Sequence, residues 1–300
     1  MPYQAILAVV TGRDGDSAVL EAANIIARHF QSHIDVLFVG ELSHPIPCLN
    51  ATVAPGFIDE LVTNADADVR IRRDVAHKTF RLWMSRTALC TSDYNRVEQR
   101  SSLLTATWAE WAGNRREIGI RGRYADLIIM ARPSSSLDAK SDLLLGGEAE
   151  SALFESARPI LFVPEEWTVF PTLENWTAMV AWNGSLEASR AVSYGLPFLT
   201  AAKSIKVFCG LEPEKSSADF SQIADQFRRY LSLQAVHACF RDATISSMDA
   251  GKKILAEALA CDAQLVVMGA FTRSRVRELI LGGATEYVLF HAHLPVLMAH

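Results

Sequence analysis

The 300-residue sequence predicts an α/β protein of two similar units, each a five-stranded parallel sheet with helices between the strands. Three observations carry this. Residues 5–39 read as strand, helix, strand, and so short a connection between parallel strands is made by one crossover helix. A pattern late in the first half recurs late in the second. Leu145-Gly146-Gly147 returns as Leu281-Gly282-Gly283; Phe154 and Phe290 each stand eight residues beyond the first glycine of their pair, and Pro159 and Pro295 thirteen beyond it. Matched offsets over such a span indicate duplication. Between the copies, residues 164–174 are polar, proline-bounded and aperiodic, the composition of a linker. The units are therefore 1–166 and 175–300, the first with a long insert at about 41–100.

In the first unit, residues 5–11 form an apolar run suited to a buried strand. Residues 12–17 are a turn rich in N-cap types. Val19, Ala22, Ala23, Ile26 and Phe30 then share one helical face, and residues 34–39 form the second strand. The prolines of residues 44–47 forbid regular structure locally. Residues 58–88 are charged with interleaved apolar positions and partly helical. Residues 101–111 carry a strand, 114–124 a helix and 127–130 a buried strand. In the second unit, residues 178–182 are the first strand and Asn183-Gly184-Ser185 the turn, with Ser185 as N-cap. A helix follows with Ala188, Ala191, Val192, Gly195, Leu196 and Leu199 on one face, and Pro197 predicts its kink or early end. Residues 205–209 are a strand, 220–233 a helix, 235–240 a strand, and 248–260 a helix with Ile254, Leu255, Ala258 and Leu259 inward.

The closing stretch, 264–300, has the chemistry of an anion site. An apolar strand at 265–268 ends at Gly269; a polar loop holds Thr272, Arg273, Ser274, Arg275 and Arg277; Gly282 and Gly283 precede a short helix starting near Ala284. Free amides at a helix N-terminus point at a ligand there, and the helix dipole favours negative charge. Pro295 then leads into a last apolar strand, 296–299.

At these residues the sequence resembles the universal stress protein family. That family carries Gly, two residues, Gly, nine residues, then Gly-Ser or Gly-Thr, between its fourth strand and last helix. Gly269 and Gly282 match the first and third glycines, with nine residues, 273–281, after Thr272. Thr272 replaces the second glycine, and Gly283 stands where Ser or Thr is usual, with a hydroxyl offered at Thr285. The resemblance covers both halves. It implies two Rossmann-like (adenine nucleotide alpha hydrolase-like) domains with a ligand at the carboxyl ends of strands one and four.

The resemblance also supplies the expected site: Asn183, Gly184, Ser185, Gly269, Thr272, Arg273, Gly282, Gly283, Ala284 and Thr285 around an adenine nucleotide, namely ATP, with Mg as an accompanying ion. The family often has Asp-Gly-Ser after strand one, the Asp lying against adenine; Asn183 keeps one acceptor and adds two donors. The read function is a tandem, cytoplasmic universal stress protein. Its second half binds nucleotide, and it acts in stress response through binding and dimerisation. The alternatives are an interaction scaffold of the same fold that binds no nucleotide, and a slow nucleotide hydrolase with at most weak ATPase activity. The first half is expected to bind none. Ala131-Arg132-Pro133 stands where Gly269-Ala270-Phe271 stands in the second copy, and Glu148 follows the glycine pair. A carboxylate there suits the helix dipole and repels phosphate. The apolar last strands, 159–163 and 295–299, invite edge pairing, within the chain as a pseudo-dimer and between chains as a homodimer.

Composition narrows the rest. A net charge of -5 argues against nucleic acid as partner. No apolar run approaches the roughly 20 residues that span a bilayer, and the N-terminal run reads as a strand, not a signal peptide. Five scattered cysteines without CxxC spacing fit free thiols in a reducing compartment. His291 and His293 fall on different helix faces, and no GxSxG or HExxH is present, so neither metal nor nucleophile chemistry is signalled.

Overall fold

The computed structural model describes residues 2–40, 55–87, 89–91, 104–113, 116–133, 147–167, 172–211, 217–246, 249–271 and 283–300. The first half holds β1 (Ala5–Val10), α1 (Asp16–Phe30), β2 (His33–Gly40), α2 (Pro55–Arg86), β3 (Cys90–Thr91), β4 (Thr105–Ala112), α3 (Arg116–Gly122), β5 (Leu127–Ala131), α4 (Gly147–Glu155) and β6 (Ile160–Val163). After a 3-10 turn at Leu173–Asn175 come β7 (Thr177–Trp182), α5 (Leu186–Ala201), β8 (Ser204–Leu211), α6 (Ser217–Leu233), β9 (Ala238–Thr244), α7 (Ala250–Ala260), β10 (Leu265–Gly269), α8 (Gly283–His291) and β11 (Val296–Ala299).

The two expected sheets are one. The strands run β3-β4-β2-β1-β5-β6-β11-β10-β7-β8-β9. Each half places its first strand centrally and repeats the same order outwards, in parallel register, as in β1 against β2 (Ala5 opposite His33) and β7 against β8 (Thr177 opposite Ser204). The halves meet where β11 runs antiparallel to β6, with Val296 opposite Phe162, Leu297 opposite Leu161 and Met298 opposite Ile160. The described first half adds β3, a two-residue strand at the outer edge, to the five expected.

Central strands are apolar on both faces because both faces are covered. One core layer joins Ile6, Ala8 and Val10 to Ile26, Phe80, Phe198 and Phe227, from α1, α2, α5 and α6. The other joins Leu7 and Val9 to Ile118, Leu153, Ile254 and Val288, from α3, α4, α7 and α8. Both layers run through both halves. Tyr3 also donates its hydroxyl to the Tyr194 carbonyl at 2.7 Å, and its ring packs on Phe198 at 5.2 Å.

Three element expectations are corrected. Of the kink or early end expected at Pro197, the early end does not occur: α5 continues to Ala201. The proline forfeits one backbone bond, while Phe198 and Leu199 bury fully in the last turn and hold it in place. The strand expected at 235–240 begins at Ala238. Ala235 sits at φ 57. Its amide returns to the Ser232 carbonyl and that of Val236 to Leu231, the paired bonds that close a helix C-terminus. Leu259 is 83% exposed, not inward. Gly251, Ile254 and Ala258 fill the buried face of α7, and Leu259 is rotated about 100° from Ala258.

Candidate functional site

In each half the strand order reverses beside the first strand, leaving a crevice at the carboxyl ends of β1 and β5, and of β7 and β10. The second-half edge is built from the turn after β7, the end of β10 and the start of α8.

The turn after β7 is fixed by its own side chains. Gly184 takes φ 74, which a residue with a Cβ adopts at a cost. Asn183 Oδ1 accepts from the Ser185 amide at 3.1 Å, an Asx turn. Ser185 is the N-cap of α5, its Oγ accepting from the Ala188 amide at 3.1 Å. Below the turn, Trp182 is buried and stacks on Phe227 at 4.6 Å, and a Cβ on Gly184 would lie 3.8 Å from its ring. The sequence reading did not single out this aromatic floor; its signal was a tryptophan at the last strand position, followed at helical spacing by Phe220 and Phe227.

Gly269 ends β10 directly against the first turn of α5. A Cβ there would overlap the Ala188 nitrogen and lie 2.6 Å from the Glu187 carbonyl carbon. The next residues are held from several sides. Ala270 donates its amide to the Ala299 carbonyl at 2.9 Å, and its own carbonyl lies 3.0 Å from His300 Nδ1. Phe271, at φ 56, donates its amide to Thr285 Oγ1 at 3.3 Å. Thr285 is buried in the first turn of α8, with Val288 and Leu289. Gly283 is exposed, and among the described residues a Cβ there would meet nothing within 4 Å.

Seven expected site residues are thus placed: Asn183, Gly184, Ser185, Gly269, Gly283, Ala284 and Thr285. Thr272, Arg273 and Gly282 lie outside the described residues. Gly269 and Ser185 serve the packing and capping of α5. Among the described residues these bonds leave open the Asn183 amide NH2, the Thr285 hydroxyl proton and the first amides of α8, which no residue of the helix itself can accept. Those donors suit an anion or a polar ring edge.

The first half fills its equivalent turn from within. Gly12, like Gly184, has φ 74, but a Cβ on it would overlap the Arg72 carbonyl of α2. The amides of Thr11 and Gly12 donate to the two carboxylate oxygens of Asp16 at 2.9 and 2.8 Å. Asp16 is 4% exposed. Burial pushes its carboxyl up to about 6, although the Thr11 and Gly12 amides and Arg13 pull the other way. The 12–17 turn therefore contributes no side-chain cap; the N-cap is Gly15, and Asp16 reaches back instead. Glu148 lies half-buried in the first turn of α4.

A cavity of about 240 Å³ lies elsewhere, between α6 and the end of edge strand β9, lined by Phe220, Ser221, Arg228, Asp242 and Thr244. Its Arg228 is paired with Asp225 at 3.1 Å and Asp242 at 3.7 Å. Among the described residues no group of three or more His, Cys, Asp or Glu could hold a metal ion, and no helix is long and apolar enough to cross a membrane.

The sequence model of the universal stress protein family matches residues 177–300, the span of β7 to β11. No curated protein matches the sequence. Among solved structures, a universal stress protein from Archaeoglobus fulgidus superposes with a TM-score of 0.62 at 18% identity, covering 98% of this chain and 97% of its own. A functionally unknown protein from Pseudomonas aeruginosa PAO1 gives 0.57 at 14% identity, with 99% and 92% covered. The first likeness extends the fold over both halves, and the sequence match sits on the half that carries the glycine-bounded loop. Residues 177–300 thus match the universal stress protein family model, and along nearly its whole length the chain has the fold of a solved universal stress protein.

Proposed function

We propose that the second half binds an adenine nucleotide, ATP in the first instance, at the edge formed by β7, β10 and α8. The first half serves as its structural partner, and the protein acts in stress response through binding and dimerisation rather than turnover. The observation that carries this is the start of α8. Gly283 opens the helix with no described atom near its Cβ position, beside the buried Thr285 and at a helix N-terminus, whose first amides have no acceptor within the helix. The fit to a nucleotide is made by donors: α8 amides for phosphate and the Asn183 NH2 for a ring or ribose acceptor. The internal carboxylate of Asp16 at the matching turn supports assigning the nucleotide to the second half alone.

Gly283→Asp tests the reading. No described atom opposes the side chain, and a carboxylate in the first turn suits the helix dipole, so the fold should be kept. The same charge repels phosphate. Calorimetric titration with ATP should show binding to the wild type and at least tenfold weaker binding to the variant. Equal affinity in both, or none in the wild type, rejects the assignment.

A second reading has an observation of its own. Asn183, Ser185 and Thr285 each spend an oxygen on the protein's own backbone, and Glu187 and Glu286 put carboxylates in the first turns of the two helices that begin at this edge. On that reading the edge is self-sufficient, and the chain is an interaction scaffold without nucleotide. The same titration separates the two.

A further inference from the structure

We propose that the first half positions two elements of the second-half nucleotide edge, Phe271 at the end of β10 and helix α8, with Phe154 and Arg132 as the positioning residues; this rests on the nucleotide reading above. Phe271 closes the end of β10 and α8 begins at Gly283, and a residue of the first half acts on each of these elements.

Phe271 leaves β10 in the left-handed region, which a bulky side chain keeps only when its surroundings determine it. Those surroundings include Phe154 of α4, in the first half, whose ring lies 5.3 Å from that of Phe271 at 44°. Phe154 also meets His300 edge-on at 4.8 Å, and His300 Nδ1 lies 3.0 Å from the Ala270 carbonyl oxygen. One ring from the first half thus packs on Phe271 and on the partner of Ala270. At the C-terminal end of α8, Arg132, just past β5, donates through one terminal nitrogen to the Phe290 carbonyl at 3.0 Å. That carbonyl is in the last turn of α8, where the helix leaves acceptors open and favours a cation. Glu166 holds the other terminal nitrogen at 3.0 Å, and the Arg132 side chain is 14% exposed.

The arrangement has a direction. The repeat sets Ala270 opposite Arg132 and Pro133 opposite Phe271. Alanine has no group to cap α4, and proline has no aromatic ring to receive Phe290. Duplication supplied the framework, and these two exchanges make the first half the support and the second half the supported.

The test uses the full chain with Phe154→Ala, Phe154→Tyr and Arg132→Ala, read by amide hydrogen exchange without ligand and by ATP titration. Phe154→Ala should speed exchange at the Phe271 amide at least tenfold, leave Leu7 and Ala8 in β1 unchanged and weaken ATP binding at least fivefold. Phe154→Tyr, which keeps the ring, should restore both readings. Arg132→Ala should speed exchange at Ala292, whose amide bonds back to Val288 at 2.9 Å, and weaken ATP likewise. If Phe154→Ala also speeds exchange in β1, Phe154→Leu replaces it, with the same expectation at Phe271. Unchanged exchange at Phe271 and Ala292 overturns the proposal. A wild type that takes up no ATP rejects the nucleotide reading, and the exchange arm still decides whether the first half holds Phe271 and α8.

Discussion

Gly269 and Ala188 share one place. The Ala188 amide that caps onto Ser185 occupies the space a side chain on Gly269 would need. The first family glycine is therefore explained by packing: β10 and the first turn of α5 touch backbone to backbone. Gly269→Ala should destabilise by about 1–3 kcal/mol, since backbone, and not a yielding side chain, must shift. Ser185→Ala should cost about 1 kcal/mol through the lost cap. Urea unfolding of each variant measures both. A neutral Gly269→Ala would return that glycine to a ligand role.

What could be read in advance follows from what periodicity encodes. Strands such as β1, β5, β7 and β10 are apolar on both faces, and α1 and α5 repeat apolar positions at helical spacing, so element type was legible. The duplicated Leu-Gly-Gly pattern made the repeated architecture legible too. The Asx turn at Asn183 and the cap at Ser185 were local and equally readable. Asp16 was not, because its partners, Thr11 and Gly12, matter only once burial removes water from the carboxylate. The contacts of Phe154 with Phe271 and of Arg132 with Phe290 join residues more than a hundred positions apart, and no local pattern announces them.

Asp35 anchors a polar network between β2 and β4. Its carboxylate accepts from the Thr107 hydroxyl and lies 3.2 Å from His33 Nε2, while His33 Nδ1 is 2.7 Å from Thr105 Oγ1. Burial alone would raise the Asp35 carboxyl; the His33 and Thr107 hydrogen bonds outweigh it and hold the group below the usual carboxylate range. A depressed folded value stabilises above the unfolded value and is lost as pH falls through the folded one. Thr107→Val should therefore cost about 1 kcal/mol at pH 7 and progressively less below pH ~4. Unfolding curves at both pH values measure the difference, and a cost independent of pH would assign Thr107 to packing alone.

The thiols should separate by reactivity. Cys209 is fully buried, and burial, then the nearby Asp242, pushes its thiol up to about 12. Cys90 and Cys239 are exposed. The thiolate is the nucleophile, so brief alkylation of the native protein at pH 8 should mark Cys90 and Cys239 and spare Cys209. Mass spectrometry of the digested protein reads this directly. Labelling of Cys209 before unfolding would mean that the layer between β8 and α6 opens readily.

Asp16 gives a prediction of opposite sign to Asp35. Its folded value of about 6 stands above the ordinary 3.8, because desolvation outweighs the two backbone donors. Between those values the folded state holds the proton more often than the unfolded state does. The group's contribution to stability therefore falls as pH rises from about 4 to 6 and is level above that. A shift of this size corresponds to about 3 kcal/mol. Asp16→Asn removes the titration, so the stability of wild type minus that of the variant should decline by that order between pH 4 and 7. Asp16→Ala removes the titration too, so its difference from wild type should follow the same pH course, offset from Asp16→Asn by about 1–3 kcal/mol because the Thr11 and Gly12 amides are left without an acceptor under α2. A wild-type minus Asn difference that is flat with pH would show that water reaches this carboxylate. The first-half turn would then be open to an outside anion, and the nucleotide could no longer be assigned to the second half alone on this ground.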